Sequence, residues 1–215
     1  MKYFRERKEI VETGKEMLRS AMTVGTWGNI SKRIGDKDLF AITPSGIDYN
    51  NIKVEDIVIL NLDGEVIDGK KKPSVEKHLH RYLYKARDDI KAIVHTHSIY
   101  ASAMAAARQP IPGAMEDLVQ IVGGSVDVAE YALPGSEDVA QNAVKALGEK
   151  DGVLLANHGV VGVSEDLPNA LKICQVIEKT AQITIAAQSV GGVVELSDED
   201  IDFMREFYLN SYGQK

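Results

Sequence analysis

The 215-residue chain contains five histidines, and two of them stand one residue apart in AIVHTHSIYA, at His95 and His97. On a strand, residues i and i+2 face the same side, so the two imidazoles would converge on one point, as they do when they hold a metal ion. A third, His158, lies in GVLLANHGVVGV, two apolar runs around a His-Gly turn. All three fall at the ends of apolar strands, where side chains can leave the core and line a cleft. Any one of them alone reads best as a hydrogen-bonded core histidine. Together they make three candidate imidazole ligands, and three protein ligands with an open position describe a catalytic metal site rather than a structural one. The single cysteine, Cys174, excludes a closed thiolate site and an intrachain disulfide, and its apolar helical surroundings make it a buried thiol.

The elements that must position these residues alternate along the chain. Ile10, Val11, Met17, Leu18 and Met22 recur every three to four residues, which predicts an amphipathic helix ending near TVGTWGN. NISKRI and DLFAIT alternate like paired strands, TPSGIDYNN is loop, and DIVILNLDGEVID reads as a strand, an Asp-Gly turn and a returning strand. SVEKHLHRYLYKARDD predicts a helix beginning at its serine, IKAIVH a buried strand and SIYASAMAAA a helix, so the histidine pair marks a strand-to-helix junction. GSVDVAEYA reads as a further strand, and the following helix is capped by Ser136. A long helix is expected from about Asp166 to Ser189, then a Ser197–Asp200 capping box and a short tail.

Net charge −7, 44% hydrophobic and 27% charged residues suit one globular domain over residues 1–215. No apolar run approaches the roughly 18 residues of a membrane span, and the charged, helical start is unlike a signal peptide, so a cytoplasmic location is expected. No basic stripe for nucleic acid is present, and GKKKP at residues 69–73 is a solvated turn.

Six motifs in order along the chain resemble the class II aldolase/adducin-like family, which includes L-fuculose-1-phosphate aldolase and L-ribulose-5-phosphate 4-epimerase. They are GTWGNIS at Gly25, ITPSGIDY at Ile42, KPSVEKHLH at Lys72, IVHTHS at Ile93, NHGVVG at Asn157 and SYGQ at Ser211. The resemblance implies a central, largely antiparallel sheet flanked by helices, and a homotetramer with sites at subunit interfaces. It implies that His95, His97 and His158 bind Zn2+, Mn2+ or Co2+, with Glu76 as fourth ligand and catalytic acid/base. It also implies that Tyr212 reaches into a neighbouring subunit's site, and that Glu116 or Asp117 occupies the place of a second catalytic group. Thr26, Asn29, Ser45, Gly46 and Ser74 would hold a substrate phosphate through hydroxyls and backbone amides. Many relatives carry a second serine where this chain has Val75. His80, one helical turn after Glu76, is expected to support the site rather than to ligate. His78 is expected at the surface, and Trp27 as a wall of the pocket or a packing residue.

The chemistry implied is retro-aldol cleavage of a ketose 1-phosphate to dihydroxyacetone phosphate and a small aldehyde, with a divalent cation stabilising the charge left on carbon. Glu76 favours an aldolase, because the epimerase carries an aspartate there. Ranked behind it are the 4-epimerase, which re-adds the rotated aldehyde, and methylthioribulose-1-phosphate dehydratase, which uses a glutamate in the segment of Glu116. An adducin-like assembly module has no need of the three histidines and Glu76.

Overall fold

The alternation of buried and exposed positions resolves into eight strands and seven helices in the structure, a computed structural model that describes residues 1–35 and 38–213. Strands β1 (Asn29–Arg33), β2 (Leu39–Ile42), β3 (Val58–Asn61), β4 (Val66–Asp68), β5 (Ala92–Thr96), β6 (Val128–Ala129), β7 (Gly152–Leu155) and β8 (Gly159–Ser164) form one sheet in the order β4-β3-β2-β1-β5-β8-β7-β6. Every pairing is antiparallel except β6 with β7. The fold is a single mixed α/β domain with a mostly antiparallel sheet, as the motifs imply.

Both faces of the sheet are covered, because successive strand residues alternate between two cores. Ala92 and Val94 of β5 join Ile10 and Met17 of α1 (Phe4–Arg19) and Leu171 and Cys174 of α6 (Leu167–Ala187). Ile93 points the other way, into a core with Leu79 and Leu83 of α2 (Lys77–Ala86) and Ala143 and Leu147 of α5 (Glu137–Leu147). A third cluster packs α3 (Ile99–Ala107) and α4 (Glu116–Val122) against α6. Each fully buried Leu or Ile contributes about 1.5–3 kcal/mol. These faces therefore dominate the placement of the helices.

Two contacts tighten this frame. Arg7 of α1 is buried and donates to the carbonyl of Ile57 and to the carboxylate of Asp68, which ties the first helix to the β3–β4 hairpin. Gly162 lets α6 approach the sheet, since a Cβ there would stand 2.6 Å from the carbonyl oxygen of Ala170.

The helix predicted from Ser74 begins later, at Lys77. Ser74 Oγ accepts the amide of Glu76 at 3.2 Å, and Glu76 occupies the N-cap with φ −94° and ψ 19°. Val75, in the same turn, is 68% exposed and faces solvent, not the helix core. The strand read in GSVDVAEYA is reduced to Val128–Ala129, and the last helix, α7 (Asp198–Ser211), starts at the predicted Ser197 cap. Tyr212 and Gly213 follow it; Gln214 of the SYGQ motif lies outside the described residues. Among the described residues no helix is long and apolar enough to cross a membrane.

Candidate metal centre

By the alternation that sends Ile93 toward α2, His95 points to the same face, and His97 lies just past the strand end. The β7–β8 turn brings His158 opposite them. Asn157, which opens that turn, has φ +58°, a conformation that asparagine tolerates better than most residues, and its side chain accepts hydrogen bonds from Arg108. Gly159 follows because nothing larger fits: a Cβ would lie 2.3 Å from the Thr96 carbonyl oxygen and 3.2 Å from both His95 Cε1 and His97 Cδ2.

The result is a tight group. His95 Nε2 lies 2.9 Å from His97 Nε2 and 3.3 Å from His158 Nε2. Glu76 Oε2 stands 3.4 Å from His95 Nε2, and Oε1 stands 3.4 Å from His158 Nε2. One ligand atom from each of the four residues lies within 4.8 Å of all the others. Donors placed about 2.1 Å from a tetrahedral ion stand about 3.4 Å from one another, close to these separations.

The protonation pattern also suits a cation. His95 Nδ1 donates to the Val160 carbonyl at 3.0 Å, leaving a bare lone pair on Nε2. Burial, reinforced by His158 and His97, holds the His95 pKa well below its ordinary value; burial, then His158, pushes that of His97 down to about 4. Both rings are therefore neutral near pH 7, the state in which an imidazole can offer a nitrogen lone pair to an ion. Glu76 Oε1 is buried with no hydrogen-bond partner, and so is His158 Nδ1. The donor set of three imidazoles and a carboxylate thus fits a divalent metal ion.

A cavity of about 440 Å3 opens beside this group. Thr26, Asn29, Ser45, Gly46 and Ser74 all line it, together with Trp27, Val75, Pro134 and Asn157. Its glycine loop is clamped from two sides: Tyr49 donates to the Gly28 carbonyl at 2.9 Å, and Thr23 to that of Trp27 at 2.7 Å. Gly28 has φ +77°, and a Cβ there would stand 2.5 Å from the His95 carbonyl oxygen. Trp27 forms a wall, its ring 5.7 Å from that of His97.

Asn29 lines the cavity and is also engaged behind it. Its Nδ2 donates to Glu76 Oε2 at 2.7 Å and its Oδ1 meets His80 Nε2, so the carboxamide is directed at the carboxylate. His80 is buried and makes no approach to the three histidines as a fourth imidazole, while His78 turns toward Glu137. Glu116, Asp117 and Tyr212 are absent from the cavity lining. Asp117 pairs with Lys179, Glu116 is exposed, and Tyr212 packs against Tyr208, which lines a different cavity with Arg87, Asp151 and Arg205. Pro134, Asn157, Ser31 and Tyr84 belong to the surroundings of the site without having been singled out by sequence. For Asn29 and Ser31 a signal existed: they are the polar positions on one face of a buried strand.

The buried imidazoles make the metal-free fold sensitive to acid. His80, pushed by burial down to about 3, and His97, at about 4, stay neutral while their unfolded counterparts protonate near 6.5. The unfolded chain then binds more protons, so stability is fully present above about pH 6.5 and is lost as pH falls toward 4. Denaturant titrations of chelator-treated protein should show a slope of about 1.4 kcal/mol per pH unit for each imidazole held neutral. A flat profile between pH 6.5 and 4.5 would contradict the burial of these rings.

Residues 8–185 match the family of class II aldolase and adducin N-terminal domains, and the chain belongs to that family. Among its relatives, a 5-deoxy-D-ribulose 1-phosphate aldolase of Bacillus thuringiensis serovar kurstaki is 40% identical over 98% of both chains. An L-fuculose phosphate aldolase of Escherichia coli O6:H1 is 32% identical over 96% of this chain and 94% of the other. A solved L-fuculose 1-phosphate aldolase superposes with a TM-score of 0.93 at 40% identity, covering 95% of this chain and 96% of its own.

Proposed function

We propose that the chain is a divalent-metal-dependent aldehyde-lyase that cleaves a ketose 1-phosphate, of the 5-deoxypentulose or L-fuculose type, to dihydroxyacetone phosphate and a small aldehyde. The observation that carries this reading is the meeting of three imidazole nitrogens and one unpartnered carboxylate oxygen beside a cavity lined by hydroxyls and glycine loops. Both aldolases at 40% identity support the substrate class.

In this reading Glu76, His95, His97 and His158 hold the ion, Zn2+ or else Mn2+ or Co2+. When bound it would supply Lewis acidity toward the carbonyl and adjacent hydroxyl of the sugar. Thr26, Ser45, Gly46 and Ser74 receive the phosphate; Asn29, already bonded to Glu76 and His80, borders it. Glu76, after taking up a proton from solvent, delivers it to the carbon left by the departing aldehyde while Asn29 holds Oε2. The proton that leaves the C4 hydroxyl passes on to solvent, so the count balances. Tyr212 takes the C4 hydroxyl proton in the cavity of a neighbouring copy, because in its own chain it lies beside Tyr208. Glu116, exposed and unlike Asp117 not paired to Lys179, is the better placed of the two for a neighbour's cavity. Trp27, 64% exposed, and Val75, 68% exposed, give the cavity an exposed apolar lining that suits coverage by a second subunit, and we assign a homotetramer. The buried, unpaired Cys174 accords with a cytoplasmic setting.

The test is solvent deuterium exchange into dihydroxyacetone phosphate with and without chelator, followed by addition of acetaldehyde or L-lactaldehyde. Metal-dependent exchange and formation of a ketose 1-phosphate are expected. A metal-loaded, folded protein that exchanges nothing would overturn the aldolase reading and direct attention to pentulose-phosphate epimerisation. Tyr212→Phe should slow cleavage about 100-fold or more while leaving that exchange largely intact. Equal loss of both would remove Tyr212 from its assigned role.

A further inference from the structure

Helix α2 and strand β1 meet through a ladder of polar side chains. Glu76 caps the helix and positions 80 and 84 follow one face of it at a spacing of four, while 29, 31 and 33 follow one face of the strand at a spacing of two. They interlock in turn. Glu76 meets Asn29, Asn29 meets His80, His80 meets Ser31 at 2.6 Å, Ser31 meets Tyr84 at 2.8 Å, and Arg33 donates to the Tyr84 carbonyl. All six are buried.

Burial at this level lets every proton be assigned. The Glu76 carboxylate accepts only, so Asn29 turns its NH2 to it and its Oδ1 to His80. His80 must therefore carry its hydrogen on Nε2. Burial pushes its pKa down to about 3, so the ring is neutral and Nδ1 accepts from the Ser31 hydroxyl. Ser31 oxygen is then free to accept from Tyr84, whose hydroxyl burial keeps protonated. The chain of donors runs one way from Tyr84 to His80, and again from His80 to Glu76.

We propose that this ladder is a positioning device: Tyr84 and Ser31 fix the His80 tautomer, His80 fixes the Asn29 carboxamide, and Asn29 anchors Glu76 by Oε2 so that the carboxylate stays beside the histidines, Oε2 3.4 Å from His95 Nε2 and Oε1 3.4 Å from His158 Nε2. Without His80 the carboxamide loses the partner that sets its orientation. A rotated Asn29 would turn its own oxygen on Glu76 Oε2, two acceptors in contact, and displace the carboxylate. Asn29 thus serves the carboxylate, a task beyond lining the phosphate cavity. The inference rests on the metal reading above.

The experiment measures Co2+ affinity by chelator competition, together with the visible absorption of the Co2+-loaded protein, for wild type, His80→Leu and His80→Gln. His80→Leu should bind Co2+ about 10–100-fold more weakly and with an altered spectrum. His80→Gln, which keeps a donor for Asn29, should recover much of the loss, and KM for the phosphorylated substrate should change little in either. A folded His80→Leu protein with wild-type affinity and spectrum would overturn the ladder while leaving the metal site standing. Failure of the wild type to bind Co2+ would overturn both. If His80→Leu does not fold, 15N NMR of the wild-type imidazoles and the Ser31→Ala variant decide the matter. A neutral His80 protonated on Nε2 from pH 5 to 8, and weakened Co2+ binding by Ser31→Ala, support the ladder. A ring protonated on Nδ1, or unchanged Co2+ binding by that variant, overturns it.

Discussion

Glu76→Gln is expected to slow proton exchange on dihydroxyacetone phosphate by about 10²–10⁴-fold, because an amide cannot carry the proton. From sequence alone the substitution looks benign for the metal, since a glutamine oxygen can still ligate. The surroundings make it less so. Asn29 offers an N–H to Oε2, which also stands 3.4 Å from His95 Nε2, while Oε1 stands 3.4 Å from His158 Nε2. A carboxylate satisfies a donor on one side and a cation on the other, whereas glutamine has one oxygen for two places that each require it. Co2+ affinity should therefore fall about tenfold or more along with exchange. Exchange measured at saturating cation separates the two losses; persistence at the wild-type rate would remove Glu76 from proton transfer.

Gly159→Ala is expected to cost about 3 kcal/mol of stability and to disable the metal group at the same time. The added methyl would stand 2.3 Å from the Thr96 carbonyl oxygen, a backbone atom of the paired strand that cannot swing aside. Relief requires β5 and β8 to part where they carry the histidines, because His95 Cε1 and His97 Cδ2 also border the methyl at 3.2 Å. Denaturant midpoints in chelator and Co2+ titrations of the same variant should move together. Unchanged stability would show that the strands do not approach as described.

Much of this was legible before the structure. Alternating runs announced β1 to β5, β7 and β8, and the His-x-His and His-Gly motifs marked where the sheet releases side chains, because strand period and turn chemistry are local properties. The start of α2 was not, since Ser74 looks like a cap but spends its hydroxyl on the Glu76 amide inside a preceding turn. That shift of three residues leaves Glu76 at the end of the helix, free to bend toward the histidines, rather than on its flank. The partnership of Asn29 and Glu76 was invisible for another reason. It depends on how β1 registers against α2, a tertiary relation that neither segment's own periodicity contains. Tyr212 shows the same limit one level higher, since its proposed target lies in a different copy.

Strand β5 divides the sheet, with β1 to β4 on one side and β6 to β8 on the other. The four candidate ligands span that divide: Glu76 comes from chain preceding β5, the histidine pair from β5 and its end, and His158 from the turn that begins β8. An ion gripped by all of them would stitch the two halves together. It would also have no complete home on a nascent chain until β8 had closed against β5, so the protein would acquire its cation late, as a lock on finished topology rather than as a nucleus for it.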